Sequence, residues 1–99
     1  MQTLPQQTTH RARYGYPETV TGYVRTDTGA AKLASRALCA EVRGWGKDDV
    51  IATLDASGTD DGEVTISVPA EPERIERGLY RIDVLADGEP IYIAALEMV

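Results

Sequence analysis

From Thr19 onward, apolar and polar residues alternate in short runs separated by turn-forming residues, the period-two pattern of half-buried β-strands. "TVTGYVR" sets Val20, Gly22 and Val24 on one face and Thr19, Thr21, Tyr23 and Arg25 on the other. "RALCAEVRGW" turns Leu38, Ala40 and Val42 inward, opposed by Cys39, Glu41 and Arg43. In "VIATLD", Val50, Ala52 and Leu54 alternate with Ile51 and Thr53; in "EVTISVP", Val64, Ile66 and Val68 share a face. "LYRIDVLA" puts Tyr80, Ile82 and Val84 opposite Arg81 and Asp83, and Asp87–Gly88 then gives a strong hairpin signal. The last run, "EPIYIAALEMV", is apolar on both faces, which predicts a central or covered strand.

Between these runs stand turns at "TDTGA", "GKDD" and "ASGTDDG", where Gly offers positive φ and Asp favours turn geometry. Helix propensity concentrates in "GAAKLASRALCAEV", but its second half alternates like a strand, so at most a brief helical turn is expected over Ala30–Ser35. The expected fold is all-β: a small antiparallel sandwich, Ig-like, of about six to seven strands. A closed barrel is the alternative, since it also removes exposed strand edges. Residues 1–18, rich in Gln, Thr and Pro, read as a flexible or extended N-terminal arm preceding one domain over residues 19–99.

Composition narrows the function classes. The 99 residues suit one domain. Five Tyr, one Trp and no Phe leave the core to Val, Ile, Leu and Ala, with tyrosines at its margins. A net charge of −6 with scattered basic residues disfavours nucleic-acid binding, which rewards clustered Lys and Arg. The lone Cys39 excludes an intrachain disulfide. "MQTLPQQTTHRAR" has no apolar leader core, and no run is long enough to span a membrane. Cytoplasmic synthesis is the expectation.

The succession "VRTDTGAAKLASRALCAEVRG … GEVTISVPAEPERIERGLYRIDVLADGEPIYIAALEMV" resembles the N-terminal domain of phage baseplate upper proteins and related phage or prophage virion-associated proteins. The likeness runs over roughly Thr19 to Val99, about four-fifths of the chain. It rests on the turn at Asp27–Gly29, the step at Leu33, the strand Ala37–Arg43, the Gly–x–Tyr of Gly78 and Tyr80, and the hairpin turn at Asp87–Gly88. The resemblance implies a β-sandwich module working as an assembly part. Its partners would be copies of itself and neighbouring virion proteins, and its location virion-associated once assembled. Contact would come through exposed sheet edges and the N-terminal arm, as in strand addition.

The inventory for catalysis is thin. His10, the sole histidine, lies in the expected arm and reads as a surface residue, because catalytic groups need rigid support. Cys39, mid-strand, reads as a small buried residue, and a Cys–His pair would need His10 to fold over it. In "DASGTDDGE", counting from Asp55 puts Asp60 where a calcium loop needs Gly and Ile66 where it needs Glu, so Asp55, Asp60 and Asp61 are read as a soluble turn; Asp48 and Asp49 are read the same way. No phosphate loop, nucleophile elbow or paired zinc ligands occur. No catalytic residue, cofactor or metal is therefore expected. "GWG" at Gly44–Gly46 is the most conspicuous feature: Trp45 would either anchor a contact or cap one end of the core. Arg13, Tyr14, Tyr16 and Trp45 are the expected interface residues of a non-enzymatic phage or prophage tail or baseplate protein. The alternative is a stand-alone carbohydrate- or peptide-binding module built on Trp45 and nearby tyrosines.

Overall fold

The computed structural model describes residues 9–72 and 74–99. Among these residues nine strands follow one another: β1 (Thr9–Ala12), β2 (Glu18–Tyr23), β3 (Arg25–Thr26), β4 (Gly29–Ala30), β5 (Leu38–Gly44), β6 (Val50–Gly58), β7 (Glu63–Val68), β8 (Gly78–Ala86) and β9 (Glu89–Met98). Seven of them form one sheet in the order β1-β9-β8-β5-β6-β7-β2, and β3 and β4 make a separate small hairpin. Every pairing in the large sheet is antiparallel except β1 with β9, which is parallel. The all-β class holds, and the sheet rolls until it is nearly a barrel.

The roll follows from the divided loyalties of β6. Its residues Val50 to Asp55 pair with β5, whereas Ala56, Ser57 and Gly58 pair with β7. One strand thus serves two neighbours along different parts of its length, and the ribbon bends between them. At the far side Tyr92 of β9 reaches across the interior to Gly22 of β2, where an added Cβ would lie 2.3 Å from the tyrosine ring. Gly in a strand interior marks such a close approach.

The alternation places the core. Val20, Val64, Ile66 and Val68 from one arm of the roll meet Ala40, Val42, Ile82, Val84, Leu96 and Met98 from the other, all buried. The Asp87–Gly88 turn has positive φ at both residues, 51° and 86°, as a two-residue hairpin loop of the type I′ class requires. Arg36 and Ala37 clamp it from outside: Arg36 Nε and the Ala37 N–H donate to the two Asp87 carboxylate oxygens at 2.9 and 3.2 Å. The Arg36 hydrogen bond, followed by the Ala37 N–H, holds the Asp87 carboxyl below its usual pKa.

Over Ala30–Ser35, where at most a brief helical turn is expected, no helix occurs among the described residues: Ala31 and Leu33 are buried, and a single turn closes from the Arg36 N–H to the Leu33 carbonyl at 3.1 Å. Four or five residues cannot nucleate a helix when one of them is drawn into a core; Leu33 packs over Gly58. The N-terminal segment is extended over Thr9–Ala12, where β1 pairs with β9 in register Thr9↔Ala95 through Ala12↔Met98; residues 1–8 lie outside the described residues. The expected surface position of His10 changes: it is half-buried on the face turned to the interior, in register with the buried Leu96, and its Nε2 lies 2.9 Å from the Tyr92 hydroxyl.

Burial holds the His10 ring below its ordinary pKa of 6.5. A group whose folded pKa is depressed stabilises the fold fully above its unfolded value, and that contribution disappears as pH falls through the folded one. The midpoint of urea unfolding should therefore decline between pH 7.5 and 5, a window above carboxylate titration, and His10→Gln should flatten the decline. A slope unchanged in the variant would remove His10 as its source.

Candidate functional site

On the outside of the sheet, β5, β8, β9 and β1 carry three arginines and three carboxylates that pair internally. Asp83 is 6 % exposed. It accepts hydrogen bonds from Arg43 Nη1 on one oxygen and Arg81 Nε, at 2.9 Å, on the other. Arg43 also meets Glu41 at 3.3 Å, and Arg11 meets Glu97 at 2.8 Å. Three positive and three negative side chains sum to zero, on a molecule whose net charge is −6. This face is neutral while the rest of the surface is acidic.

Around that paired network stand large apolar side chains in contact with solvent: Trp45 is 48 % exposed, Leu79 42 % and Ile93 50 %. The chain geometry explains their gathering. Trp45 leaves β5 beside the start of β8, its N–H donating to the Leu79 carbonyl at 3.3 Å. Ile93 projects from β9 in register with Asp83 of β8. With Gly46, Arg81 and Ala94, Trp45 and Ile93 line a depression of about 440 Å³. Exposed apolar groups clustered beside charges that already have partners are cheap to cover, since covering them strands no ion.

The predicted residues divide. Trp45 is an exposed element of this face and does not cap the core. Tyr14 is half-buried against the core, its N–H donating to the Val99 carbonyl at 2.8 Å, and the Arg77 guanidinium lies 5.3 Å from its ring. Tyr16 is 55 % exposed, with the Arg13 guanidinium 4.5 Å from its ring centre. Arg13 in turn meets Glu18 at 3.3 Å and donates its backbone N–H to the same carboxylate. Arg13, Tyr14 and Tyr16 form one group after β1. Trp45 stands three strands away in the order β1-β9-β8-β5, about 14 Å at ordinary strand spacing. No tyrosine lines the depression beside Trp45.

Sequence reading missed Leu79, Ile93 and Asp83. For Asp83 a signal existed: Glu41–x–Arg43 and Arg81–x–Asp83 each carry opposite charges two residues apart, and because the β5–β8 register sets Glu41 opposite Asp83 and Arg43 opposite Arg81, the ion pairs form on the diagonal, Arg43 with Asp83, and along each strand.

The remaining candidates stay apart. His10 faces the interior with Leu96 and Tyr92, whereas Cys39, half-buried, shares the outer face with Glu41 and Arg43. Asp60 accepts the Ala34 N–H at 3.2 Å, and Asp55 lies on β6. Among the described residues, no three His, Cys, Asp or Glu side chains are grouped to hold a metal ion, and no helix is long and apolar enough to cross a membrane. No family model matches the chain, and no curated protein matches it either.

Proposed function

We propose that this protein is a non-enzymatic structural or assembly protein of a phage or prophage particle, in the tail or baseplate, acting through protein–protein contacts made by the Trp45 face. Its partners are further copies of itself and neighbouring virion proteins. The observation that carries the contact role is the neutral outer face on which Trp45, Leu79 and Ile93 are exposed around fully paired charges. Protein interfaces have this makeup: aromatic and aliphatic anchors at the centre, with charged groups already compensated. The setting rests on the resemblance over residues 19–99, which also favours treating the two arms of the roll as the sheets of an Ig-like sandwich. The separation of His10 from Cys39 by the sheet itself supports the non-enzymatic reading.

The experiment is incorporation into particles. Cells making phage-like particles would carry either the natural chain or Ile93→Glu, and the protein would be quantified against the tail proteins by mass spectrometry. The natural chain is expected at fixed stoichiometry, and Ile93→Glu at least tenfold lower, while its free fold melts within a few degrees of the natural one because Ile93 is half in solvent. Equal incorporation would discard the face.

A small-ligand reading draws on one specific observation, the depression between Trp45 and Arg81. It predicts a change in the fluorescence of the single tryptophan on titration with glycans or peptides. A flat response across both panels would discard it.

A further inference from the structure

A second surface lies on β6, away from the Trp45 face. Among the described residues, Val50 to Asp55 of this strand pair with β5 on one edge only; pairing with β7 begins at Ala56. Ser67 and Val68 of β7 likewise pair with Thr19 and Glu18 of β2, and with no strand on their other side among the described residues. The sheet therefore splits between β6 and β7, leaving backbone edges on both sides of the split. A depression of about 520 Å³ fills this opening and is lined by Thr53, Leu54 and Asp55 on one side and Ser67, Val68 and Pro69 on the other. A second depression of about 360 Å³ continues along Ile51 to Leu54, where Pro69, Pro72 and Arg74 form its other wall, so that Arg74 stands toward the Ile51 end and Asp55 at the opposite end. An interior stretch of strand with one free edge, beside a slot with apolar walls, is the geometry that an added strand fills.

Charge selects the occupant. Among the described residues, Asp55 lines the slot with no ion pair, and Asp49, at the head of β6, has none. The other carboxylate lining the slot, Glu18, is held by Arg13. A second copy pairing through the same edge would bring its own Asp49 and Asp55, on a chain of net charge −6, to an edge that already carries both. We infer that the β6 edge from Ile51 to Asp55 is a strand-addition site for an extended segment of a partner protein in which apolar residues alternate with Lys or Arg. The incoming backbone supplies hydrogen bonds to β6. Its apolar side chains enter beside Leu54 and Val68, and a basic side chain meets Asp55. This site is independent of the Trp45 face.

The test uses the full chain labelled with ¹⁵N and a blocked heptapeptide alternating Lys and Val. Saturable amide shifts centred on residues 51–55 and 67–68 are expected. Of two peptides N-methylated on alternate residues, one should bind at least tenfold more weakly, because the methyl groups face the β6 edge. Asp55→Lys should weaken binding at least tenfold, and Trp45→Ala should leave it unchanged. Absence of saturable shifts at millimolar peptide would overturn the proposal. So would equal affinity for all three peptides, which would reduce the effect to charge attraction, or shifts centred on Trp45 and Ile93.

Discussion

Gly62→Ala is expected to be the most damaging single-methyl change in this chain, lowering stability by roughly 3 kcal/mol or more. Two costs coincide there. Gly62 has a φ of 82°, and an added Cβ would lie 2.3 Å from the Val24 carbonyl oxygen and 3.2 Å from the Ala31 nitrogen. Left-handed backbone alone costs a residue with a Cβ about 1–2 kcal/mol. The overlap cannot be relieved by a rotamer change, because the atoms met are backbone. They are also structural: the Val24 N–H donates to the Gly62 carbonyl at 2.8 Å, and the Ala31 N–H to the Val24 carbonyl at 3.1 Å. Moving them loosens the β3–β4 hairpin from the β6–β7 turn. Gly46 provides the comparison, with φ 74° and open space around its missing side chain. Gly46→Ala should cost only the conformational part, about 1 kcal/mol. Urea unfolding of the two variants separates the contributions; equal losses would show that the contact with Val24 yields freely.

Asp83→Ala ranks second, at about 2–3 kcal/mol. Removing one partner from a buried ion pair generally costs more, because the other charge is left in low dielectric. Here the loss is moderated by what remains. Arg43, its side chain 20 % exposed, keeps Glu41 and a 3.0 Å bond from Nε to the Asp48 carbonyl, and Arg81 is 46 % exposed and recovers water. The effect is nonetheless large for a residue on the outer face of a sheet, where substitutions commonly stay within half a kcal/mol. Asp83→Asn, which keeps the shape and one acceptor, should fall between. A loss below about 0.5 kcal/mol for Asp83→Ala would mean the network is no more than a surface ion pair.

These two residues also mark how far the sequence could be read. The strands with clean alternation were legible, because one face must be apolar to form a core: Val64, Ile66 and Val68 are all buried, as are Ile82 and Val84. The Asp87–Gly88 turn was legible because few residue pairs tolerate its backbone. β1 was not, since "THRA" carries no alternation of its own and becomes a strand only by pairing with β9, distant in sequence. The roll of the sheet was not legible either, because it depends on where β6 changes neighbours, a tertiary matter that side-chain periodicity does not record. For the site, Trp45 stood out between its glycines, but its companions did not. "EPIYIAALEMV" reads as covered on both sides; Ala94, Ala95, Leu96 and Met98 are indeed buried, while Ile93 is left half in solvent. The tyrosines after β1 attracted notice for their ring chemistry, yet Tyr14 is engaged with the core and the group sits apart from Trp45.

The contact role proposed for the outer face is tested most directly by hydroxyl-radical footprinting of intact phage-like particles against the free protein, read at single residues by mass spectrometry. Strong protection of Trp45, Leu79 and Ile93 within particles is predicted, with Tyr23, exposed on β2, labelled alike in both states. Trp45 labelled equally in particles and in the free chain, or complete particles that lack the chain altogether, would contradict it.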